Sequence, residues 1–525
     1  MERGISLASR KQTFIQGAMI LLVAGLLNRL LGFIPRIALP RMIGAEGVGL
    51  FQLVYPFTIV LLTLIAGGIP LAVAKLVAEA QSRDDHETTR RVVRIAISLA
   101  LFISITSAAV CIGLAEWIST YVMTDARVHS AFLMMIPMLP LVAVSSVWRG
   151  YYQGIQNMLP PAISQTTETM FRIVLTLLLA WLLLPYGLEA AAAGAVLGMV
   201  VGELAGLWAL WIPLRREQKS QTHSPPTPKS NNTDSRTLRS ILSTAIPVTG
   251  SKMIGSLSYL LESILTARSL VISGIATSVA TAQYGALQGM VIPLLLLPGA
   301  LTYSLAVSLV PALSEAASRS DWSTIHLRLH QSMRLAVITG APFIVLMGLL
   351  ASPLCLLLYG DDSMANMLRW LAPIAIFLYM QAPLQAALQA LNRPGTALFN
   401  TFIGAAIKLI LIIQLATRPE YGIIGAVIAI GVNMLLVTLL HWISVARLTG
   451  FRLQSLVFLK IAFATVVMSA VTLWIWDQRW LGLFWLDLAA ASIIATVCYL
   501  LILIALRLID RHDVARIPYI GKLFR

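Results

Sequence analysis

Residues 421–446, YGIIGAVIAIGVNMLLVTLLHWISVA, contain no Asp, Glu, Lys or Arg. As a helix rising about 1.5 Å per residue, this stretch reaches roughly 39 Å, more than the roughly 30 Å of a bilayer's hydrocarbon core. It lacks the short, alternating pattern of a barrel strand. A segment immersed in lipid must satisfy its own backbone groups, so the stretch reads as a transmembrane helix. Similar apolar runs recur from Phe14 to Leu508. The chain is therefore expected to be an all-α polytopic membrane protein.

Composition agrees. Of 525 residues, 58% are hydrophobic and 12% charged, whereas soluble domains hold about a quarter charged residues. The net charge of +15 sits between apolar segments instead of in one polar domain, so it argues for membrane orientation and against nucleic acid. Cys111, Cys355 and Cys498 lie in separate apolar runs without paired or metal-ligand spacing, which indicates packing residues and no metal site. Arg3, Arg10 and Lys11 imitate a signal peptide. The apolar stretch after them continues to Pro35 without a small-residue cleavage site, so it is read as a retained first span.

Polar, Pro and Gly breaks divide the chain into about 14 spans, at 12–38, 48–79, 92–115, 131–155, 161–184, 188–214, 239–272, 282–313, 332–358, 369–391, 395–416, 421–446, 455–476 and 481–507. Placing both termini in the cytoplasm puts Arg83, Arg90, Arg91 and Arg94, then Arg215, Arg216 and Lys219, then Arg319 and Arg328, and finally Arg511, Arg516, Lys522 and Arg525 on the inner side. The expected location is the inner, cytoplasmic membrane. The Pro/Ser/Asn-rich 215–238 reads as a cytoplasmic linker between a six-helix bundle at 1–214 and a second at 239–447. Residues 448–525 then hold two further helices and a basic tail.

The two sides of the linker repeat each other at an offset of about 235 residues. Leu71-Ala72-Val73 with Glu79-Ala80-Gln81-Ser82-Arg83 recurs as Leu305-Ala306-Val307 with Glu315-Ala316-Ala317-Ser318-Arg319. Gln153-Gly154-Ile155-Gln156, with Arg172 downstream, answers to Gln389-Ala390-Leu391-Asn392 with Lys408 downstream. Tyr186-Gly187 and Gly194-Ala195-Val196 answer to Tyr421-Gly422 and Gly425-Ala426-Val427. An offset of six helices preserves orientation, so two parallel six-helix repeats are expected, an arrangement suited to alternating access.

An ionisable side chain at mid-bilayer costs about 2.5–3.5 kcal/mol and needs a partner, a wet cavity or a function. Arg172, Glu203, Lys252 and Lys408 fall near the midplane of their spans, while Arg29, Arg36, Glu262 and Arg268 fall toward the outer leaflet. Arg172 and Lys408 occupy equivalent places in the repeats and suit a diphosphate or sugar carboxylate. The plainer reading of Arg172 is an i,i+4 pair with Glu168. Arg29 and Arg36 share a helix face that Pro35 and Pro40 are expected to bend or break; snorkelling to the outer headgroups is the plainer reading of Arg36. Glu262 is expected to pair with Arg268 or Lys252 as an outer gate. Glu203 reads as a counter-ion, with a proton or sodium site as the alternative.

Asn28-Arg29-Leu30-Leu31-Gly32-Phe33 with Arg36, Ile43-Gly44-Ala45-Glu46-Gly47-Val48-Gly49-Leu50, and Tyr284-Gly285-Ala286-Leu287-Gln288-Gly289-Met290 before Pro293 resemble the multidrug/oligosaccharidyl-lipid/polysaccharide flippase superfamily. Within it they resemble the stage V sporulation protein B branch, related to the lipid II flippases. The resemblance implies a flippase that moves undecaprenyl-pyrophosphate-linked saccharide, lipid II or a related precursor, to the outer leaflet for cell wall or spore cortex. It implies cavity arginines on the pyrophosphate, matched here by Arg29 and Arg36. The basic residues of lipid II flippases in helices 2 and 8 have no counterpart within the matching spans, leaving Arg172, Lys252, Arg268 and Lys408 as the available cations. The implied partners are the lipid-linked glycan and membrane lipids, with peptidoglycan synthases as candidates; no cofactor is implied.

Three rival functions stand beside this one, of which a non-transporting scaffold would not explain the midplane charges. A cation-coupled drug exporter of the same superfamily typically has twelve helices and a more acidic or aromatic cavity. A membrane glycosyltransferase or ligase on a polyprenyl carrier would gather acidic or His groups in a sizeable loop. Here the external loops are short and the seven histidines dispersed, so an enzyme is not expected.

Overall fold

A computed structural model of the chain describes residues 14–221 and 234–508, with the side chains of 14–18, 22, 216–221 and 300–308 excepted. Arg3, Arg10, Lys11, much of the 215–238 linker and the basic tail from Arg511 lie outside the described residues. Those described are helical with short connections, and they form two compact units that divide between Met290 and Val291.

The first unit holds α1 (Phe14–Leu31), α2 (Phe33–Ala66), α3 (Ile69–Gln81), α4 (His86–Gly113), the single turn α5 (Ala115–Trp117), α6 (His129–Met135), α7 (Met138–Gly154), α8 (Leu159–Leu183), α9 (Leu188–Gln221), α10 (Asp234–Ile272) and α11 (Thr277–Gly285). A π-helical turn over 286–291 follows. Although the linker precedes α10, both α10 and α11 pack with the first unit. Lys252 Nζ donates to the Gly67 carbonyl at 2.7 Å, and Ser256 Oγ donates to Thr63 Oγ1 at 3.0 Å. A Cβ on Gly68 would stand 2.2 Å from the Ala245 carbonyl oxygen, so the Gly67-Gly68 turn is where α10 lies closest.

Further along, α2 and α11 cross backbone to backbone. A Cβ on Gly49 would meet the Thr281 carbonyl oxygen at 2.0 Å, and one on Gly285 would meet that of Ala45 at 2.2 Å. Two of the segments that carried the family resemblance thus pack on each other through small residues, as membrane helices commonly do.

The second unit holds α12 (Ile292–Leu296), α13 (Gly299–Ser318), α14 (Trp322–Leu349), α15 (Ala351–Tyr359), α16 (Ala365–Leu371), α17 (Ala375–Ala390), α18 (Pro394–Ala416), α19 (Ile423–Thr449), α20 (Ser455–Gln478) and α21 (Phe484–Ala505). Tyr379 Oη donates to the Leu295 carbonyl at 2.9 Å, and Tyr499 Oη donates to that of Ile338 at 3.2 Å, pinning α17 and α21 to their neighbours. Large apolar side chains such as Phe102, Ile105, Leu459, Phe463 and Val466 point outward, as lipid-facing residues do.

Backbone features repeat at the offset read from the sequence. Left-handed residues pair as Asp84 with Ser320, Gln156 with Asn392, and Gly187 with Gly422. Asp85 caps α4 by accepting from the Thr88 amide and hydroxyl at 2.8 and 2.7 Å, and Asp321 caps α14 through Thr324 in the same way at 3.0 and 2.6 Å. In each half the glycine of Gly-Ala-Val lies against the preceding helix, Gly194 on Leu179 and Gly425 on Leu415 and Ala416.

Two expectations change. Among the described residues, 11 helices are long and apolar enough to cross a membrane, or up to 12 if the bent pair α16 and α17 forms one span, against about 14 read from the sequence. The stretch 19–81 counts as one long span, and α10, with Lys252, Glu262 and Arg268 among many serines, is long enough but too polar to count. The break near Arg36 is also not at the prolines. Pro35 lies in the first turn of α2, where its missing N–H costs nothing, and Pro40 stays inside the helix. Gly32, between α1 and α2, keeps a right-handed backbone, and the helix is instead broken at Gly44, whose φ of 68° and ψ of 177° suit glycine alone.

Candidate functional site

A cavity of about 200 Å³ lies within the first unit, lined from α2 by Arg36, Gln52 and Tyr55 and from α8 by Arg172 and Thr176. Pro40, which also lines the cavity, has no amide hydrogen and so cannot donate to the Arg36 carbonyl one turn earlier in α2. The Arg36 guanidinium also lies 5.7 Å from the Phe33 ring centroid. Arg29, exposed in the last turn of α1, precedes Gly32, where the cavity lining begins.

Arg172 is placed by glycines. Gly194, Gly198, Gly202 and Gly206 recur every fourth residue on α9 and let α8 approach it closely. A Cβ on Gly198 would stand 2.3 Å from the Thr176 nitrogen, and a Cβ on Gly202 would stand 2.8 Å from the Arg172 Cβ. The i,i+4 pair read from the sequence is present, with Arg172 Nη1 3.1 Å from Glu168 Oε1. Arg172 nevertheless faces the cavity and its side chain is 38% exposed, so pairing and lining coexist.

Sequence reasoning missed Arg149 on α7. Its Nη2 lies 2.8 Å from Glu168 Oε2 and 3.6 Å from Glu203 Oε1, and Ser145 Oγ donates to Glu203 Oε1 at 2.5 Å. Glu203 is buried. The cation beside it is thus Arg149, which no signal in the sequence singles out because Glu168 already has Arg172 four residues on.

The other singled-out charges are distributed differently. Lys252 is held by the Gly67 carbonyl, and Arg268 Nη2 donates to the Tyr121 carbonyl at 2.9 Å. Glu262 is buried and accepts from Gln288 Nε2 at 2.9 Å. Six residues separate Glu262 from exposed Arg268, about 240° around the helix, so the two emerge on different sides of α10. Gln52 Nε2 donates to the Gln288 carbonyl at 3.3 Å while its Oε1 has no hydrogen-bond partner. Lys408 is buried on α18 in the second unit, two turns from Asn400, whose Nδ2 contacts His441 Nδ1 at 3.2 Å and donates to Ser444 Oγ at 3.0 Å.

A second charged network ties α11 to the loop before α6. Asp125 accepts from Thr281 Oγ1 at 2.8 Å and from Arg127 Nη2 at 2.8 Å, and Arg127 Nη1 reaches Glu46 Oε1 at 2.6 Å. Burial pushes the Asp125 carboxyl up, but hydrogen bonds from Arg127 and Thr281 outweigh it and hold the group below the usual carboxylate range. Among the described residues no cluster of three or more His, Cys, Asp or Glu is arranged for a metal.

A profile of the polysaccharide biosynthesis protein family matches residues 14–317. The chain is 38% identical over 519 residues to stage V sporulation protein B of Bacillus subtilis (strain 168), covering 98% of this chain and 99% of that protein. It is 26% identical over 476 residues to the lipid II flippase MurJ of the same organism, covering 87% and 86%. The solved inward closed conformation of a lipid II flippase MurJ superposes with a TM-score of 0.69 at 16% identity, covering 93% of this chain and 99% of that one. These likenesses, with the apolar helices, make the chain a multi-pass membrane protein with a lipid-flippase-like fold.

Proposed function

The chain belongs to the polysaccharide biosynthesis protein family, and from that premise we propose that it is a flippase. It moves an undecaprenyl-pyrophosphate-linked saccharide, lipid II or a related wall or cortex precursor, from the inner to the outer leaflet by alternating access. The observation that carries this reading is that Arg36 and Arg172 line one cavity from different helices. Two guanidinium groups suit the two phosphates of a pyrophosphate, and both attractions strengthen where water is scarce. Gln52 Oε1, Tyr55 and Thr176 on the same walls offer neutral hydrogen bonds to sugar hydroxyls and amides.

Arg29 is the further proposed cation of the first unit and Lys408 that of the second, while Lys252 and Arg268 come into play when helix contacts rearrange. The proposed membrane is the cytoplasmic one, with both termini inside, the orientation favoured by the distribution of basic residues. Peptidoglycan synthases are the proposed consumers of the flipped product. The activity is transport, with no bond made or broken.

The experiment is reconstitution of the full chain in liposomes, following fluorescent lipid II and other polyprenyl-pyrophosphate glycans from one leaflet to the other. Movement of at least one such lipid supports the reading. Movement of lipophilic cations with none of these anions would overturn it in favour of a drug exporter.

A further inference from the structure

Arg172 connects the cavity to two carboxylates, the half-buried Glu168 and the buried Glu203. Its Nη1 lies 3.1 Å from Glu168 Oε1, and Arg149 Nη2 then reaches Glu168 Oε2 at 2.8 Å and Glu203 Oε1 at 3.6 Å. Two guanidinium groups and two ionised carboxylates balance. The two carboxylates are less exposed than the cavity cation, 13% for Glu168 and 4% for Glu203 against 38% for the Arg172 side chain. Glu203 keeps one short hydrogen bond, from Ser145, in addition to its approach to Arg149.

An anion on the cavity side of Arg172 competes with Glu168 for the same guanidinium hydrogens. Once Arg172 turns its charge to that anion, Glu168 and Glu203 must share a single nitrogen of Arg149. Two carboxylates around one cation in a poorly solvated site do not both stay ionised, because each disfavours the other's charge. Neutralising one of them restores the balance, and an O–H on Glu203 has an acceptor in the Ser145 hydroxyl oxygen at 2.5 Å.

We propose that Glu168 and Glu203 form a proton site that fills when an anion binds Arg172, so that a proton from water accompanies the anionic cargo. This inference rests on the cavity reading above. The charges that act on Glu203 are Glu168 and Arg172 from α8 and Arg149 from α7. The helices α1 and α2, which also pack on α8, bring Arg29 and Arg36 along with Tyr55, all cationic or neutral. On α6 His129 contacts Ser119, at the end of α9 where Ala192 and Ala193 pack, about three turns from Glu203. No further acid from these elements competes for the proton among the described residues, since Glu46 is held by Arg127.

The linkage has a definite sign. If anion binding raises proton occupancy, raising the pH weakens anion binding, by up to about tenfold per unit when one proton is coupled. A purely structural ion-pair network would hold its protonation fixed as the cavity fills.

The test uses the purified full chain with farnesyl pyrophosphate as probe. Binding heats are compared near pH 8 in two buffers of unequal ionisation heat, well above the last phosphate ionisation at about 6. The expected result is net uptake of up to one proton per probe bound, lost in Glu203→Gln together with the pH dependence of Kd. Glu168→Gln provides a second variant with the same expectation. Binding by the wild-type chain without proton uptake would overturn this inference and leave the cavity reading standing. Uptake undiminished in both variants would also overturn it. Absence of binding in the wild-type chain would overturn both readings.

Discussion

Gly202 on α9 lies so close to Arg172 on α8 that a Cβ added to the glycine would stand 2.8 Å from the arginine's own Cβ and 2.9 Å from its Cα. The missing side chain therefore sets the position of the cavity cation. Overpacking of this kind typically costs about 1–3 kcal/mol and is relieved by backbone shifts. Gly202→Ala is expected to move Arg172 off the cavity wall and weaken binding of a polyprenyl pyrophosphate at least about tenfold, a loss of one charge-assisted hydrogen bond. Titration of the variant with the same probe checks this.

The crossing of α2 and α11 gives a prediction with its own control. At Gly285 an added methyl group meets the Ala45 carbonyl oxygen at 2.2 Å and the Gly49 backbone, whereas at Gly250 on α10 nothing lies within 4 Å. Gly285→Ala should lower the unfolding temperature in detergent by several degrees. Gly250→Ala should leave it unchanged or raise it, since alanine favours helix by about 1 kcal/mol over glycine.

The Asp125 network predicts an acid response. Its folded carboxyl titrates below the unfolded value of about 3.9, so its stabilisation is complete above that pH and disappears as the pH falls through the lower folded value. Asp125→Asn should flatten that part of the stability profile. At neutral pH it should cost near the lower end of the roughly 3–5 kcal/mol lost when one member of a buried pair is removed, because Arg127 is partly exposed and retains Glu46. Thermal unfolding across an acid series measures both effects.

The long apolar runs and the duplication were legible because lipid permits few alternatives, and a two-helix-bundle repeat leaves matching turns. Asp84 and Ser320, or Gln156 and Asn392, adopt the same left-handed backbone although their side chains differ. Arg36 and Arg172 were legible as misplaced charges, but their meeting at one cavity depends on how α2 and α8 pack. Arg149 was not legible, because an arginine near the end of a span normally sets orientation and its acidic partners lie on other helices. The glycines at 194, 198, 202 and 206 were a readable signal of close helix approach that composition alone does not assign to a partner. Similarly, α10 read as an ordinary span, yet its Lys252 and Ser256 serve contacts with α2 and the Gly67-Gly68 turn.

The central claim is that Arg36 and Arg172 act on the pyrophosphate of a lipid-linked glycan, and the direct measurement is leaflet transfer of fluorescent lipid II in proteoliposomes. Transfer by the wild-type chain is expected to fall at least about tenfold in Arg36→Ala and in Arg172→Ala, each of which removes a charge-assisted contact worth about 1.5–3 kcal/mol. Undiminished transfer in both variants, with their folding intact, would contradict the account.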